Sequence, residues 1–371
     1  MPLGFYVHVP FCAVRCGYCD FNTYTATELG GGASQAAYPG QAIAEIDQAR
    51  ARVGERRVDT VFFGGGTPTL LPSEDLNRLL GAIDERFGLA DDAEVTTEAN
   101  PDSVTRQTLA RLREGGFTRI SFGMQSAVRA VLKVLDRTHD PDRVPEVVAW
   151  ARAAGFEQVS LDLIYGTPGE SLGDWRRSLD AALACAPDHL SAYSLIVEEG
   201  TALGRRVRRG ELPAPDEDDL ADKYTLADEI LTAAGLHWYE VSNWARDEGS
   251  RCRHNLLYWT SADWWGIGPG AHSHLAGERW WNVKHPRAYA ERVAAGASPA
   301  QDREVLDEDT RRLERILLEI RLEGGLPIDV LSDPGKAAAP LADGLVVRRD
   351  DRLMLTDHGR LLADAVVREL S

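Results

Sequence analysis

What most limits the folds open to this chain is a rhythm. Short β-branched and aromatic runs recur along it, each followed by a helical pattern. Phe5–Val9, Val58–Phe63 (VDTVFF), Glu94–Thr97, Thr118–Gly123 (TRISFG), Gln158–Ile164 (QVSLDLI), Leu190–Ile196 and Trp238–Ser242 read as strands. Between them, PSEDLNRLLGAIDERFG, TRQTLARLREGG and DPDRVPEVVAWARAAG carry apolar residues at i, i+3 and i+4. Several of these stretches stop at glycine, a common helix end. One strand and one helix about every 30 residues imply parallel strands covered by crossover helices. The fold class is therefore α/β, and six or seven such units predict a β/α barrel, partial or closed, over residues 1–243.

The rhythm breaks in two places. ATELGGGASQAAYPG (26–40) reads as a Gly/Ala/Ser-rich mobile loop. Residues 244–303 are rich in Gly and Trp, show no helical period and read as a connecting segment. Residues 304–371 then open a different pattern: two helices, a hairpin in GLVVRRDDRLMLTDHG and a last helix. That order resembles a winged-helix domain. Such domains often bind DNA, but RRDDR gives this wing mixed charge, so packing or partner docking is the better reading.

Composition narrows the partners. Lys and Arg number 41 against 58 Asp and Glu, for a net charge of −17. That balance repels nucleic-acid phosphates and anionic membranes, so neither is expected as a partner. The basic stretch GRRVRRGEL (204–212) reads as a solvated loop. No apolar run approaches the ~20 residues that cross a bilayer. MPLGFYVHVPFC shows neither the basic start nor the cleavage site of a signal peptide. The five cysteines, three of them clustered, read as reduced thiols in the cytoplasm rather than as a disulfide framework.

Those three, Cys12, Cys16 and Cys19 in FCAVRCGYC, gather thiolates from one short loop. Thiolates suit iron–sulfur clusters and zinc. A structural zinc site wants four protein ligands, with His8 or Cys252 as candidates for the fourth. Three thiolates on a 4Fe-4S cluster instead leave one iron open to a small molecule.

In a β/α barrel the active site lies at the carboxyl ends of the strands. There the sequence places GGGTPT (64–69), whose glycines predict close backbone approach to a ligand with free N–H groups, or simply a tight turn. Glu98 and Gln125 end two further strands, and Asp162 sits inside an apolar one. A carboxylate so placed needs a cation or hydrogen-bond donors.

Taken together, Tyr6-Val-His-Val-Pro-Phe-Cys12-x3-Cys16-x-Tyr18-Cys19, GGGTPT, Glu98, Gln125 and Asp162 resemble the radical S-adenosylmethionine superfamily over essentially the whole chain. More narrowly they resemble its oxygen-independent coproporphyrinogen oxidase branch. The resemblance implies a partial β/α barrel with a winged-helix-like C-terminal domain. It implies a 4Fe-4S cluster on Cys12, Cys16 and Cys19, capped by S-adenosylmethionine. Gly65, Gly66 and Thr67 would lie along the methionine part, and Glu98, Gln125, Arg137 and Asp162 near ribose, carboxylate or amino groups. Tyr6 and Tyr18 would flank the cofactor. In an active member a donated electron, hence an electron-donor partner, yields a deoxyadenosyl radical that takes hydrogen from substrate.

Two departures matter within the branch. True coproporphyrinogen oxidases carry a further cysteine two positions after the third; here that residue is Phe21. They also carry an N-terminal extension, whereas this chain has five residues before Tyr6. HNLLYW (His254, Asn255, Tyr258, Trp259) points elsewhere, resembling the HNxxYW signature of HemW-type haem chaperones. That resemblance implies haem as cargo and acceptor haemoproteins as partners, with His254 the leading ligand and Cys252 a weaker candidate. Haem iron takes an axial His or thiolate, and its macrocycle wants flat aromatic surroundings. Six of the nine tryptophans lie between 244 and 281, near His272 and His274. Without the resemblance they read as an aromatic packing seam. Cys185 reads as a small core residue.

Overall fold

The computed structural model describes residues 1–29 and 33–371; of the loop expected at 26–40, residues 30–32 lie outside them. The predicted rhythm appears as strands β1 (Leu3–Val9), β2 (Val58–Gly65), β3 (Leu89–Ala99), β4 (Arg119–Gln125), β5 (Gln158–Tyr165) and β6 (His189–Ser194). All five neighbouring pairs among them are parallel and follow chain order. Their side chains alternate with a period of two. Phe5, Val7, Val61, Phe63, Val95, Ile120, Phe122, Val159, Leu161, Leu163 and Leu190 face the covering helices and form the main core. The other face is polar and lines a lumen: Thr96, Glu98, Ser121, Ser160, Asp162, His189 and Ser191.

The barrel is partial. The seventh predicted strand is β7 (His237–Glu240), which reaches the sheet antiparallel, through β8 (Asn243–Ala245). Only two residues separate β7 from β8, enough for a hairpin and too few for a crossover helix.

The stretch 244–303, expected only to connect, is built into the sheet. It supplies β8 and also β9 (Asp263–Ile267), which pairs parallel with β1. Beyond β9 follow β10 (His272–Leu275), β11 (Glu278–Asn282) and β12 (Ala300–Val305), all antiparallel. The sheet thus reaches 12 strands. Its tryptophans form a packing seam: Trp265 and Trp280 meet edge to face at 4.8 Å, as do Trp264 and Tyr258. Arg52 lies 4.4 Å over Trp280.

The C-terminal residues fold around their own small core of Ile316, Ile320, Leu326, Val346, Leu353 and Val366. Helices Glu308–Glu319 and Ala338–Ala342 precede a hairpin of β14 (Val346–Arg349) and β15 (Arg352–Leu355), as the pattern predicts. A two-residue strand, β13 (Leu326–Pro327), adds to the hairpin, and two short helices close the chain. Arg360 ties this unit to the barrel, donating to both carboxylate oxygens of Asp228 at 3.0 and 2.9 Å and lying 4.6 Å over Trp238. Among the described residues no helix is long and apolar enough to cross a membrane.

Candidate functional site

A cavity of about 630 Å³ runs from the cysteine loop down the lumen. Cys12, Cys16 and Cys19 line it, half-buried and unbridged. Gly17 donates its N–H to Leu135 O, and its carbonyl accepts Leu203 N–H, which fixes the middle of the loop. Tyr18 lines the wall beside Cys16. Burial raises the Cys19 thiol to about 11 and also raises the Cys12 thiol, so a cation beside them would favour their thiolates.

Among the described residues no three His, Cys, Asp or Glu side chains converge as ligands of a single metal ion would. Neither candidate for a fourth zinc ligand is available. His8 Nε2 donates to Asn22 O at 2.9 Å while its Nδ1 accepts from Tyr6 OH at 3.0 Å. Cys252 lies at the opposite end of the lumen beside Glu94. Three half-buried thiols lining a cavity, each able to take a different iron, fit a cluster better than a mononuclear site.

The glycine run does a different task from the one its composition suggested. Gly65 N–H donates to Glu98 Oε2 (3.2 Å), Gly66 N–H to Val9 O (2.8 Å) and Thr67 N–H to Phe11 O (2.8 Å). None of these N–H groups is free for a ligand, so that expectation is corrected. Gly66 is required because a Cβ there would stand 2.5 Å from Phe11 O. The run clamps the segment that enters Cys12, and all three residues still line the cavity.

Glu98, Gln125, Arg137 and Asp162 come together on the same wall. Burial and then the Asp162 charge raise the Glu98 carboxyl to about 8. Burial also raises Asp162, which accepts from Ser121 Oγ at 2.8 Å. Gln125 sits at φ 61°, a left-handed strain beside a β4 bulge that no sequence pattern announced. Arg137 donates to Gly123 O at 2.8 Å and stands 3.6 Å from Cys16 Sγ, while its buried Nε has no partner. One orphaned guanidinium donor and two buried carboxyls short of cationic partners suit a ligand bearing both a carboxylate and positive charge. The residues therefore fit S-adenosylmethionine beside a cluster, with Tyr6 deeper in the lumen than the thiols.

HNLLYW forms the floor. Its helix, Arg253–Trp259, seals the amino ends of β1 and β2. The Glu94 carboxylate accepts Arg253 N–H and His254 N–H, both at 3.0 Å, and so caps this helix. His254 is buried with both ring nitrogens engaged, Nδ1 with Thr60 Oγ1 at 2.7 Å and Nε2 with Tyr258 OH at 2.8 Å. It stacks on Phe62, and burial lowers it to about 3, leaving it neutral. Asn255 and Tyr258 line the lower cavity; Trp259 turns toward Glu240 instead. His274 is buried against Ala262 O, His272 stacks on Trp281, and Cys185 bonds Ala181 O on its own helix.

Sequence reasoning passed over Asn22, Glu94 and Arg119, and took His8 only as a candidate zinc ligand. Arg119 is fully buried, donates to Ser250 O and leaves Nη2 unpartnered in the lower lumen. The signal was available: Glu94 and Arg119 are charged residues in runs otherwise read as buried strands.

An open parallel barrel with three thiols at the carboxyl end of its first strand defines a radical SAM protein, and the Radical SAM superfamily model matches residues 6–182. Within that class, the chain belongs to the family of proteins named haem chaperone HemW. The Mycobacterium tuberculosis protein of that name is 54% identical over 371 residues, spanning 100% of this chain and 95% of the relative. The Escherichia coli one is 33% identical, spanning 99% and 97%. Among solved structures, coproporphyrinogen III oxidase (HemN) from Escherichia coli superposes with a TM-score of 0.85 at 25% identity, over 100% of this chain and 90% of that one.

Proposed function

We propose that this protein binds haem and hands it to acceptor haemoproteins in the cytoplasm, carrying a 4Fe-4S cluster and S-adenosylmethionine on its barrel. The observation that carries the reading is the full-length 54% identity to a relative named haem chaperone. Phe21, at the position of an extra cysteine in the oxidases, supports it. Cys12, Cys16 and Cys19 would hold the cluster, which when bound can supply an electron, from a donor protein, to the sulfonium of the cofactor. Arg137 would offer its free Nε to the cofactor's carboxylate, Glu98 and Asp162 would face its positive charge, and Tyr6 and Tyr18 would wall it in. Haem is cargo in this scheme, so its residues need a grip that can be released.

The rival reading is decarboxylation of coproporphyrinogen III propionates, favoured by the likeness to HemN. One pair of assays separates them on anaerobically reconstituted protein. Haemin titration followed at the Soret band, then transfer to an apo-haemoprotein, tests the first; coproporphyrinogen conversion tests the second. Saturable haem binding with transfer and no conversion is expected. Sustained conversion, or no saturable binding, overturns the chaperone reading.

A further inference from the structure

The HNLLYW helix poses a problem for any haem ligand drawn from it. His254 has no free nitrogen, and it lies at the sealed end of the barrel, behind Tyr258, Thr60 and Phe62. A macrocycle reaching it would have to break two hydrogen bonds and displace the floor helix. At the other end of the same cavity the surface is of the opposite kind. Val14 (50% exposed), Phe21 (59%) and Ile196 (67%) line the mouth, and Tyr193 (42%) lies just inside it with its hydroxyl toward Ser191 and Asp162. Single exposed apolar residues are ordinary, but four converging from two separate segments onto one opening mark a binding surface. They come from the cysteine loop and from the end and exit of β6.

We infer that this rim is the haem-binding face: the macrocycle lies against Phe21, Val14, Ile196 and Tyr193 at the barrel mouth, and the floor motif contributes through the shape of the lumen. The inference rests on the haem-binding reading above and names its site. Three observations favour a flat apolar molecule with acidic edges over other occupants. Flat π-systems prefer aromatic and aliphatic surfaces such as these. Asp20 and Glu198 also line the mouth and turn anionic edges away from themselves. The chain's basic run lies on the next element: Arg205 and Arg208 are exposed on the helix Ala202–Arg208, whose Leu203 N–H donates to Gly17 O of the cysteine loop at 2.7 Å. In a chain of net charge −17 that helix offers two exposed cations, on an element tied to the cysteine loop, toward which propionates can turn. An open rim also suits a carrier, because cargo covered on one face only can be passed on.

The test is a Soret titration of reconstituted full-length protein with haemin. It compares wild type, Phe21→Ser/Ile196→Ser, and Val305→Ser, an even more exposed apolar residue on β12 far along the sheet. Cluster absorbance and melting temperature, read on the same samples, verify that each variant is intact. The rim variant should bind haemin at least tenfold more weakly, with Val305→Ser unchanged, and Arg205→Glu/Arg208→Glu should weaken haemin but not its dimethyl ester. Rim-variant binding within twofold of wild type overturns the inference and leaves the chaperone reading standing. So does normal binding combined with failed transfer, which would make the rim a protein-docking surface. Wild type without saturable binding overturns the chaperone reading itself.

Discussion

Replacing Glu98 by Gln isolates the electrostatics of the lumen. Burial, then the Asp162 carboxylate, moves the Glu98 carboxyl from an ordinary 4.5 to about 8. Tyr6 on β1, Tyr193 on β6 and Tyr258 in the floor helix share its field, and Gly65 N–H is its direct donor. A carboxyl with a higher pKa folded than unfolded holds its proton more tightly in the folded state. Its contribution is fully present below pH 4.5 and is lost as pH rises through 8. The whole span is about 5 kcal/mol at about 1.4 kcal/mol per pH unit, and water entering the lumen trims it to a measurable ~2–4 kcal/mol. The assay is urea unfolding of cluster-free protein between pH 5 and pH 9. Wild type should lose stability over that interval, while Glu98→Gln, neutral throughout and still able to accept from Gly65, should lose much less and overtake wild type at pH 9. A cation bound beside Glu98 should expel its proton. Calorimetry of S-adenosylmethionine binding near pH 7 should then show proton release in wild type that the variant lacks. Equal pH slopes in the two proteins would refute the reasoning.

Gly66→Ala drives a methyl to 2.5 Å from Phe11 O, at a cost of about 1–3 kcal/mol, and should halve iron and sulfide incorporation while circular dichroism keeps the barrel signature. Glu94→Ala removes the cap of the floor helix and exposes Arg119 as an unpaired buried cation. Unfolding should cost about 3 kcal/mol less, and hydrogen exchange should quicken across 250–260. Arg360→Ala breaks the bidentate pair with Asp228, loosening the C-terminal unit by about 3 kcal/mol. Limited proteolysis should then cut first at residues 306–307, between β12 and the next helix, whereas Arg360→Lys, lacking the fork, should fall between the two.

The barrel was legible because its strands carry their own signal. One buried face per strand leaves alternating apolar residues, and each of the six parallel strands was found within a few residues of its end. The lumen was legible in part: Glu98, Gln125 and Asp162 stood out as polar residues at strand ends, and the structure gathers them. The floor was not. Helix Arg253–Trp259 has seven residues, too few for a period to emerge, and its start is set by Glu94, more than 150 residues away. Antiparallel edge strands β10–β12 were missed for a similar reason. Their residues include Arg279, Asp302, Arg303 and Glu304, so the apolar alternation that marks a strand is absent. The glycine run was found but misread, since composition shows that backbone comes close and not what it comes close to.

The cysteine loop owes its position to parts of the chain that no motif connects to it. Entering, it is clamped by Gly66 and Thr67 of the β2 exit. At its middle, Gly17 bridges Leu135 and Leu203. Leaving, Asn22 donates to Pro269 O at 2.9 Å and Lys284 O at 2.7 Å, and His8 holds the Asn22 carbonyl. Gly270, at φ 76°, packs so closely that a Cβ would meet Asn22 at 2.6 Å. The Gly/Trp-rich stretch is thereby the third anchor of the thiols. Behind it stands Glu45, fully buried, accepting from Gly268 N–H, Asn282 Nδ2 and Tyr289 OH at 2.6–2.7 Å. Ordering a loop of this length costs about 1–2 kcal/mol per residue. Those contacts all come from within the fold, so the chain itself holds the three thiols together. The same anchors present Val14 and Phe21 at the mouth, so one set of contacts orders both the thiols and the apolar rim.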